Sequence, residues 1–236
     1  MAELTIAEVA KMLDHSLLNP KMTDADLEAG CQWAKEAGVA SVCIKPYAVP
    51  TAKAILQGSG VAVGTVIGFP QGAHSTEVKV FEAQKAMEDS AAELDMVVNI
   101  GKVLSLDWEY VTTDILAVID AARDGSAIVK VIFENSMLED KHKIELCRIC
   151  GEVGAHFVKT STGYGAGGAT DADLILMRKY SPKEVQVKAA GGVRDYARLK
   201  AVRALGVTRV GATASPQILA EAAKAVETGS GAGAEI

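Results

Sequence analysis

Eight short apolar, β-branched runs recur along the chain, and stretches of helical periodicity lie between them. The runs are LDHSLLN (13–19), VASVCIK (39–45), VAVGTVIGF (61–69), AELDMVVNI (92–100), AIVKVIFE (127–134), AHFVKTS (155–161), VQVKAAG (185–191) and VTRVGA (207–212). Helical periodicity fills 24–38, 51–60, 76–91, 108–125, 140–154, 171–181 and 195–206. The helix stops EAG, GSG, RDG, EVG and ALG each put glycine just before a strand, where a left-handed residue ends a helix cheaply. Thr23, Ser75, Thr170 and Asp195 stand at helix starts as candidate N-caps. Strand and helix in uninterrupted alternation require parallel strands joined by crossover helices. An open doubly wound sheet and a closed barrel both meet that requirement. Eight strands favour the barrel, as does the absence of a G-x-G-x-x-G turn after the first strand. The length of 236 residues is also close to the ~250 of a typical barrel. The expected fold is a (β/α)8 TIM barrel of the α/β class with a short N-terminal helix. No Pro/Ser linker divides the chain, so one domain is expected over 1–236, with ETGSGAGAEI (227–236) as a flexible tail.

Composition narrows the function classes. Net charge is −6 and aromatics are 5%, which argues against nucleic acid, anionic membrane surfaces and base-stacking platforms. No apolar stretch approaches the ~20 residues of a membrane span. The N-terminus MAELTIAEVAKMLDHS is amphipathic and lacks the form of a secretory signal, so a cytoplasmic location is expected. There Cys31, Cys43, Cys147 and Cys150 are expected as free thiols. Cys147 and Cys150 form a C-x-x-C, but no second such pair exists and only His142 lies near, so helix-face packing is the preferred reading over metal binding. His15, His74, His142 and His156 are too scattered for a metal cluster, and His156 is expected to be buried or helix-facing. Trp33 and Trp108 read as helix-face packing.

Among the charged residues inside the apolar runs, Asp95, Lys130, Lys159 and Lys188 recur at regular spacing. The intervals between them are 35, 29 and 29 residues, about one strand-helix unit each. They are therefore expected at comparable heights on four successive strands. Val129, Val158 and Val187 precede the lysines, so alternation turns the lysines to the barrel axis if the valines face the helices. One such lysine could simply reach solvent along its stem. Three beside an aspartate are harder to dismiss, because buried charge is costly unless paired or functional. An ordinary lysine, with a pKa of ~10.4, is protonated near neutrality. A neighbouring cation and desolvation bring it toward ~7–8, where the free amine can attack a carbonyl and form a Schiff base. The iminium is an electron sink that lets a nearby C–C bond break or form, and Asp95 is available to move protons. Glycine-rich turns follow the late strands, AGGVRD (190–195) and GATAS (211–215), where barrels of this class hold phosphate. With Arg194 beside them, a phosphorylated substrate is favoured.

The segments DHSLLNP (14–20), VIGFPQGAHSTEVK (66–79), ELDMVVNIG (93–101), VKVIFEN (129–135), FVKTSTGYGAGGAT (157–170) and VKAAGGVRD (187–195) together resemble the deoxyribose-phosphate aldolase family. The resemblance runs from about residue 12 to residue 222 with the motifs in the same order. It implies a metal-independent class I aldolase, with no cofactor, acting on phosphorylated sugar and aldehyde substrates, and a homodimer. It implies that Lys159 forms the Schiff base, that Lys188 lowers its pKa and exchanges protons, and that Asp95 donates and accepts protons with water. Lys130 is implied in a supporting role. Asp14, Thr162 and Thr213 match substrate-side positions, Gly163, Gly191, Gly192 and Gly211 match turns around the phosphate, and Cys43 lies near the pocket. Two departures stand out: Ala214 replaces one serine hydroxyl after the last strand, with Ser215 following, and AGAEI carries no tyrosine to reach the site. Another Schiff-base barrel, transaldolase-like or specific for a different aldehyde, and a non-catalytic sugar-phosphate sensor are the alternatives.

Overall fold

Parallel strands β1 (Leu13–Leu17), β2 (Ser41–Ile44), β3 (Ala62–Ile67), β4 (Glu93–Val97), β5 (Ile128–Ile132), β6 (Phe157–Lys159), β7 (Gln186–Ala190) and β8 (Val207–Ala212) pair in sequence order, and β8 closes on β1. The computed structural model describes residues 4–231. Helix α1 (Ile6–Ala10) precedes the barrel, and the outer ring comprises α2 (Asp24–Ala37), α3 (Val49–Leu56), α4 (Thr76–Glu88), α5 (Ile100–Leu104), α6 (Trp108–Asp124), α7 (Asp140–Val153), α8 (Asp171–Tyr180), α9 (Tyr196–Ala204) and α10 (Ser215–Gly231). The expected closed barrel and short leading helix are both present.

Local chemistry sets the element ends. Thr23 accepts a hydrogen bond from the Asp26 N–H while Asp26 answers at the Thr23 N–H, a reciprocal cap that starts α2. Thr170 and Asp195 cap α8 and α9 through their side chains. Ser75 occupies the N-cap position of α4, but its side chain makes no capping hydrogen bond. The run expected as strand to residue 100 stops at Val97, because Asn99 accepts from the Lys102 N–H and turns the chain into α5. Residues 227–231 of the expected tail continue α10; residues 232–236 lie outside the described residues.

The apolar core lies between barrel and helices. Leu94, Met96, Val129, Val131, Val158, Val187 and Ala189 point outward from the strands and are fully buried against helix faces. Cys147 and Cys150 belong to this layer on α7, so the C-x-x-C is packing surface, and Trp33 and Trp108 pack against it from α2 and α6. His156 departs from expectation: it is exposed, and its Nδ1 accepts the Val129 N–H at 3.1 Å. It stands at the solvent-facing start of β6, where a polar ring can pair a backbone donor.

Charge is also buried between helices. Lys79 on α4 is wholly enclosed and donates to Asp114 on α6 at 2.5 Å and to the Val97 carbonyl at 3.0 Å. Burial lowers the Lys79 pKa despite that partner. Asp114→Ala would leave an unpaired ammonium in the core, a change that costs about 3–5 kcal/mol. Chemical denaturation should show a loss of that size, whereas replacing both partners with apolar residues should recover much of it.

Candidate active site

The inner wall of this barrel is charged through its middle. Register fixes which side chains share that wall, because residues paired across neighbouring strands point the same way. Asp14 pairs with Ser41 and Gly211, Glu93 with Gly64, Asp95 with Val66 and Lys130, Lys159 with Ile132 and Lys188, and Lys188 with Arg209. The lysines therefore face the axis, as the valine pattern implied. The four charged groups do not form one level, however. Asp95 is level with Lys130, but Lys130 pairs with Phe157, and Lys159 stands two residues further along β6. Tilted strands stagger their register around a barrel, and that offset divides the lysines between a deeper and an upper tier.

Asp95 is the hub. Its Oδ2 accepts from Lys159 Nζ and Lys188 Nζ, each at 2.7 Å, and its Oδ1 accepts from Lys130 Nζ at 2.8 Å. The carboxyl is fully buried. Burial alone would favour its neutral form, but the Lys130, Lys159 and Lys188 charges outweigh that and hold its pKa well below the ordinary value. Lys188 has a second partner, Asp14 Oδ2, at 2.5 Å. Burial opposes the Lys188 charge, yet Asp14 and Asp95 together raise its pKa. Lys159 lacks that second carboxylate. Burial lowers its pKa, Asp95 only partly opposes this, and the Lys188 charge lowers it further. The two upper-tier lysines are thus driven in opposite directions, one kept charged and the other made easier to deprotonate.

A cavity of about 560 Å³ opens above this pair. Lys159, Lys188 and Asp14 reach it from below, with Cys43 beside them, whereas Asp95 and Lys130 lie beneath its lining. Burial pushes the Cys43 thiol up to about 11, with Asp95 adding to the effect, so it is an uncharged neighbour. Gly191, Gly192, Arg194 and Thr213 from the turns after β7 and β8 also line the cavity. Gly191 and Gly192 have φ of 80° and 85°, a region that suits glycine. Gly211, implied as part of the phosphate turns, lines the cavity as well. It lies within β8, and a Cβ there would stand 3.2 Å from Lys188 Cε, so its missing side chain makes room for the lysine.

Thr162 and Gly163 also border the cavity. The Thr162 hydroxyl donates to the buried Glu134 carboxylate, so it is held by protein rather than free to the cavity. Sequence reasoning missed Glu134, although it falls within VKVIFEN; its left-handed backbone, φ 58°, turns the carboxylate toward the β6 loop. It missed Tyr164 as well, whose hydroxyl donates to the Leu18 carbonyl at 2.8 Å across the cavity mouth. Arg209 and Glu93 were also missed. They complete the deeper tier: Arg209 meets Asp14 at 2.5 Å and Glu93 at 3.3 Å, and Glu93 meets Lys130 at 2.6 Å. An arginine and a glutamate on short strands gave no signal beyond the alternation that turns them inward.

The arrangement suits carbonyl chemistry by an amine: a desolvated lysine, a charged lysine beside it, and a shared carboxylate under an open polar cavity. Known proteins agree. Residues 8–231 match the sequence profile described as DeoC/LacD family aldolase. The deoxyribose-phosphate aldolase of Rhodopirellula baltica is 52% identical over 95% of this chain and 93% of its own length. That of Thermococcus gammatolerans is 47% identical over 90% and 95%. The solved tetrameric deoxyribose phosphate aldolase from Aeropyrum pernix superposes with a TM-score of 0.86 at 30% identity, covering 94% of this chain and 93% of that one. The match over nearly the full barrel establishes that the chain belongs to the DeoC/LacD family of aldolases.

Proposed function

We propose that this chain reversibly cleaves 2-deoxy-D-ribose 5-phosphate to acetaldehyde and D-glyceraldehyde 3-phosphate, with Lys159 as the Schiff-base nucleophile. The observation that carries the reading is the pair of lysines on one Asp95 oxygen, of which Lys159 is the one at the cavity floor without a carboxylate of its own. Neutral Lys159 Nζ adds to the aldehyde carbon of the open-chain sugar, and water leaves as the iminium forms. The C2–C3 bond then breaks as the C3 hydroxyl gives up its proton, and the bonding electrons pass into the iminium to leave an enamine. Protonation of the enamine carbon and hydrolysis release acetaldehyde. Asp95, held ionised, and the charged Lys188 exchange these protons through water, and Lys130 fixes Asp95 from the opposite oxygen. Arg194 and the N–H groups around Gly191, Gly192 and Thr213 receive the phosphate, with Thr162 and Gly163 shaping the facing wall. These residues need no cofactor for the steps described.

Homodimerisation and a cytoplasmic location belong to the same proposal. Val78 and Phe81 expose apolar surface on α4 that a second copy could cover, and all four cysteines are unpaired and buried, as suits a reducing compartment. No helix among the described residues is long and apolar enough to cross a membrane.

Three measurements test the reading. Borohydride added with acetaldehyde should reduce an iminium onto Lys159, and mass spectrometry of the digest should find that label on the peptide bearing it; a label elsewhere, or none, sinks the assignment. Adduct formation should rise with pH through the Lys159 pKa, because only the neutral amine attacks. Lys188→Leu should move that rise to higher pH, since it removes a cation that favours the neutral amine; an unmoved profile counts against Lys188. Arg194→Ala should raise KM for the phosphorylated sugar about 10- to 100-fold, the range of one to two charge-assisted hydrogen bonds. Turnover of unphosphorylated 2-deoxyribose should change little, and equal losses on both sugars would remove Arg194 from the phosphate site.

A further inference from the structure

The charged groups of the inner wall do not balance. Three carboxylates, Asp14, Glu93 and Asp95, are linked to four basic groups, Lys130, Lys159, Lys188 and Arg209. Among the described residues, the neutral Cys43 thiol of β2 also faces this network, and the Lys130 charge reaches His156 beside the start of β6. β3 contributes Gly64 and Val66 to the inner wall and no charge. His15 of β1 faces outward and stacks near Trp33, with ring centroids 4.7 Å apart. Three of the four basic groups are lysines that can release a proton, whereas arginine cannot in practice. Arg209 is also anchored: its guanidinium lies over the Phe157 ring, 5.5 Å from the centroid, and reaches both Asp14 and Glu93.

We propose that Arg209 is a positioning residue for the Schiff-base lysine: by occupying Asp14 and Glu93 with a permanent charge, it makes Lys159 the surplus cation of the barrel interior. The inference rests on the assignment of Lys159 as nucleophile. With Arg209 in place, Lys130 is held by Glu93 and Asp95, and Lys188 by Asp14 and Asp95, while Lys159 has Asp95 alone. Releasing one proton from Lys159 brings the network to neutrality. Without Arg209, three carboxylates face three lysines, and a proton taken from any of them leaves a buried negative charge uncompensated. Arg209 therefore acts at a distance, through Asp14 and Lys188, on a nitrogen it does not touch. Glu93 acts in the opposite sense, because removing it would leave two cations in surplus.

The test is the pH dependence of borohydride trapping by acetaldehyde, read as label on the Lys159 peptide. In the unsubstituted enzyme the label must fall on Lys159; its absence there overturns the nucleophile assignment, and this inference with it, before any variant is read. Arg209→Gln should shift the trapping midpoint to higher pH by about one unit, the scale of one nearby buried charge. Arg209→Lys keeps the charge and should lie close to the parent. Glu93→Gln should shift the midpoint to lower pH, and the double variant Arg209→Gln/Glu93→Gln should return it toward the parent. A merely structural role for Arg209 would not give shifts of opposite sign that cancel. Unchanged midpoints in folded Arg209→Gln overturn the proposal. If that variant does not fold, Glu93→Gln decides: a downward shift supports the surplus-charge account, and a static or upward midpoint refutes it.

Discussion

Everything in this molecule turns on one buried carboxylate that accepts three ammonium groups. Asp95 has no access to solvent and both of its oxygens are committed to lysines. Such a group is tolerable only if its partners are held at hydrogen-bond distance from several directions at once, since desolvating a charge without a partner is expensive. A closed parallel barrel supplies those directions. Strands β4, β5, β6 and β7 each deliver one member of the hub, and the apolar layer outside them holds the strands in place. Barrels of this architecture usually fill the interior with branched apolar side chains. Here the middle of the interior is an ion network instead, and the apolar contribution to stability comes from the strand-helix layer.

The same network explains why chemically identical side chains differ. Lys130 is pressed between Glu93, Asp95 and Asp14, and these outweigh burial to raise its pKa well above the ordinary value. Lys188 has two carboxylates at 2.5 and 2.7 Å. Lys159 has one, shared, and is the lysine at the very end of its strand. The proposed role of Lys159 follows from the inequality. The amine with the least compensation is the one that can be neutral, and it is also a side chain the cavity exposes to a substrate. The turns after β7 and β8 border the same cavity.

Much of this is legible in the amino-acid sequence. The eight-fold alternation gave the barrel because parallel strands need crossovers, and five of the seven helical stretches end on glycine. The lysine spacing gave the inward-facing row because strand alternation is local. Less legible were events that depend on competition between neighbours. Asn99 cut a strand short by capping α5, and α10 continued through residues 227–231. His156 looked like a buried ring in an apolar run, yet it sits exposed with a backbone N–H as its partner. Gly211 lies in the expected β8 run, but its clearance of Lys188 was not legible from sequence.

The sequence by itself determined the class of fold, the strand positions of Asp95, Lys130, Lys159 and Lys188, and the resemblance that ties them to aldolase chemistry. These properties are written in periodicity and in contiguous motifs, which survive without three-dimensional information. Only the tertiary structure decided which lysine shares which oxygen. It split the lysines into two tiers through the register of tilted strands, brought Arg209 and Glu93 under the site from β8 and β4, and gave Asp14 to Lys188 rather than to Lys159. The reason is physical: side-chain electrostatics fall steeply with distance in a desolvated interior, so the pKa order depends on ångström-scale pairings between residues far apart along the chain.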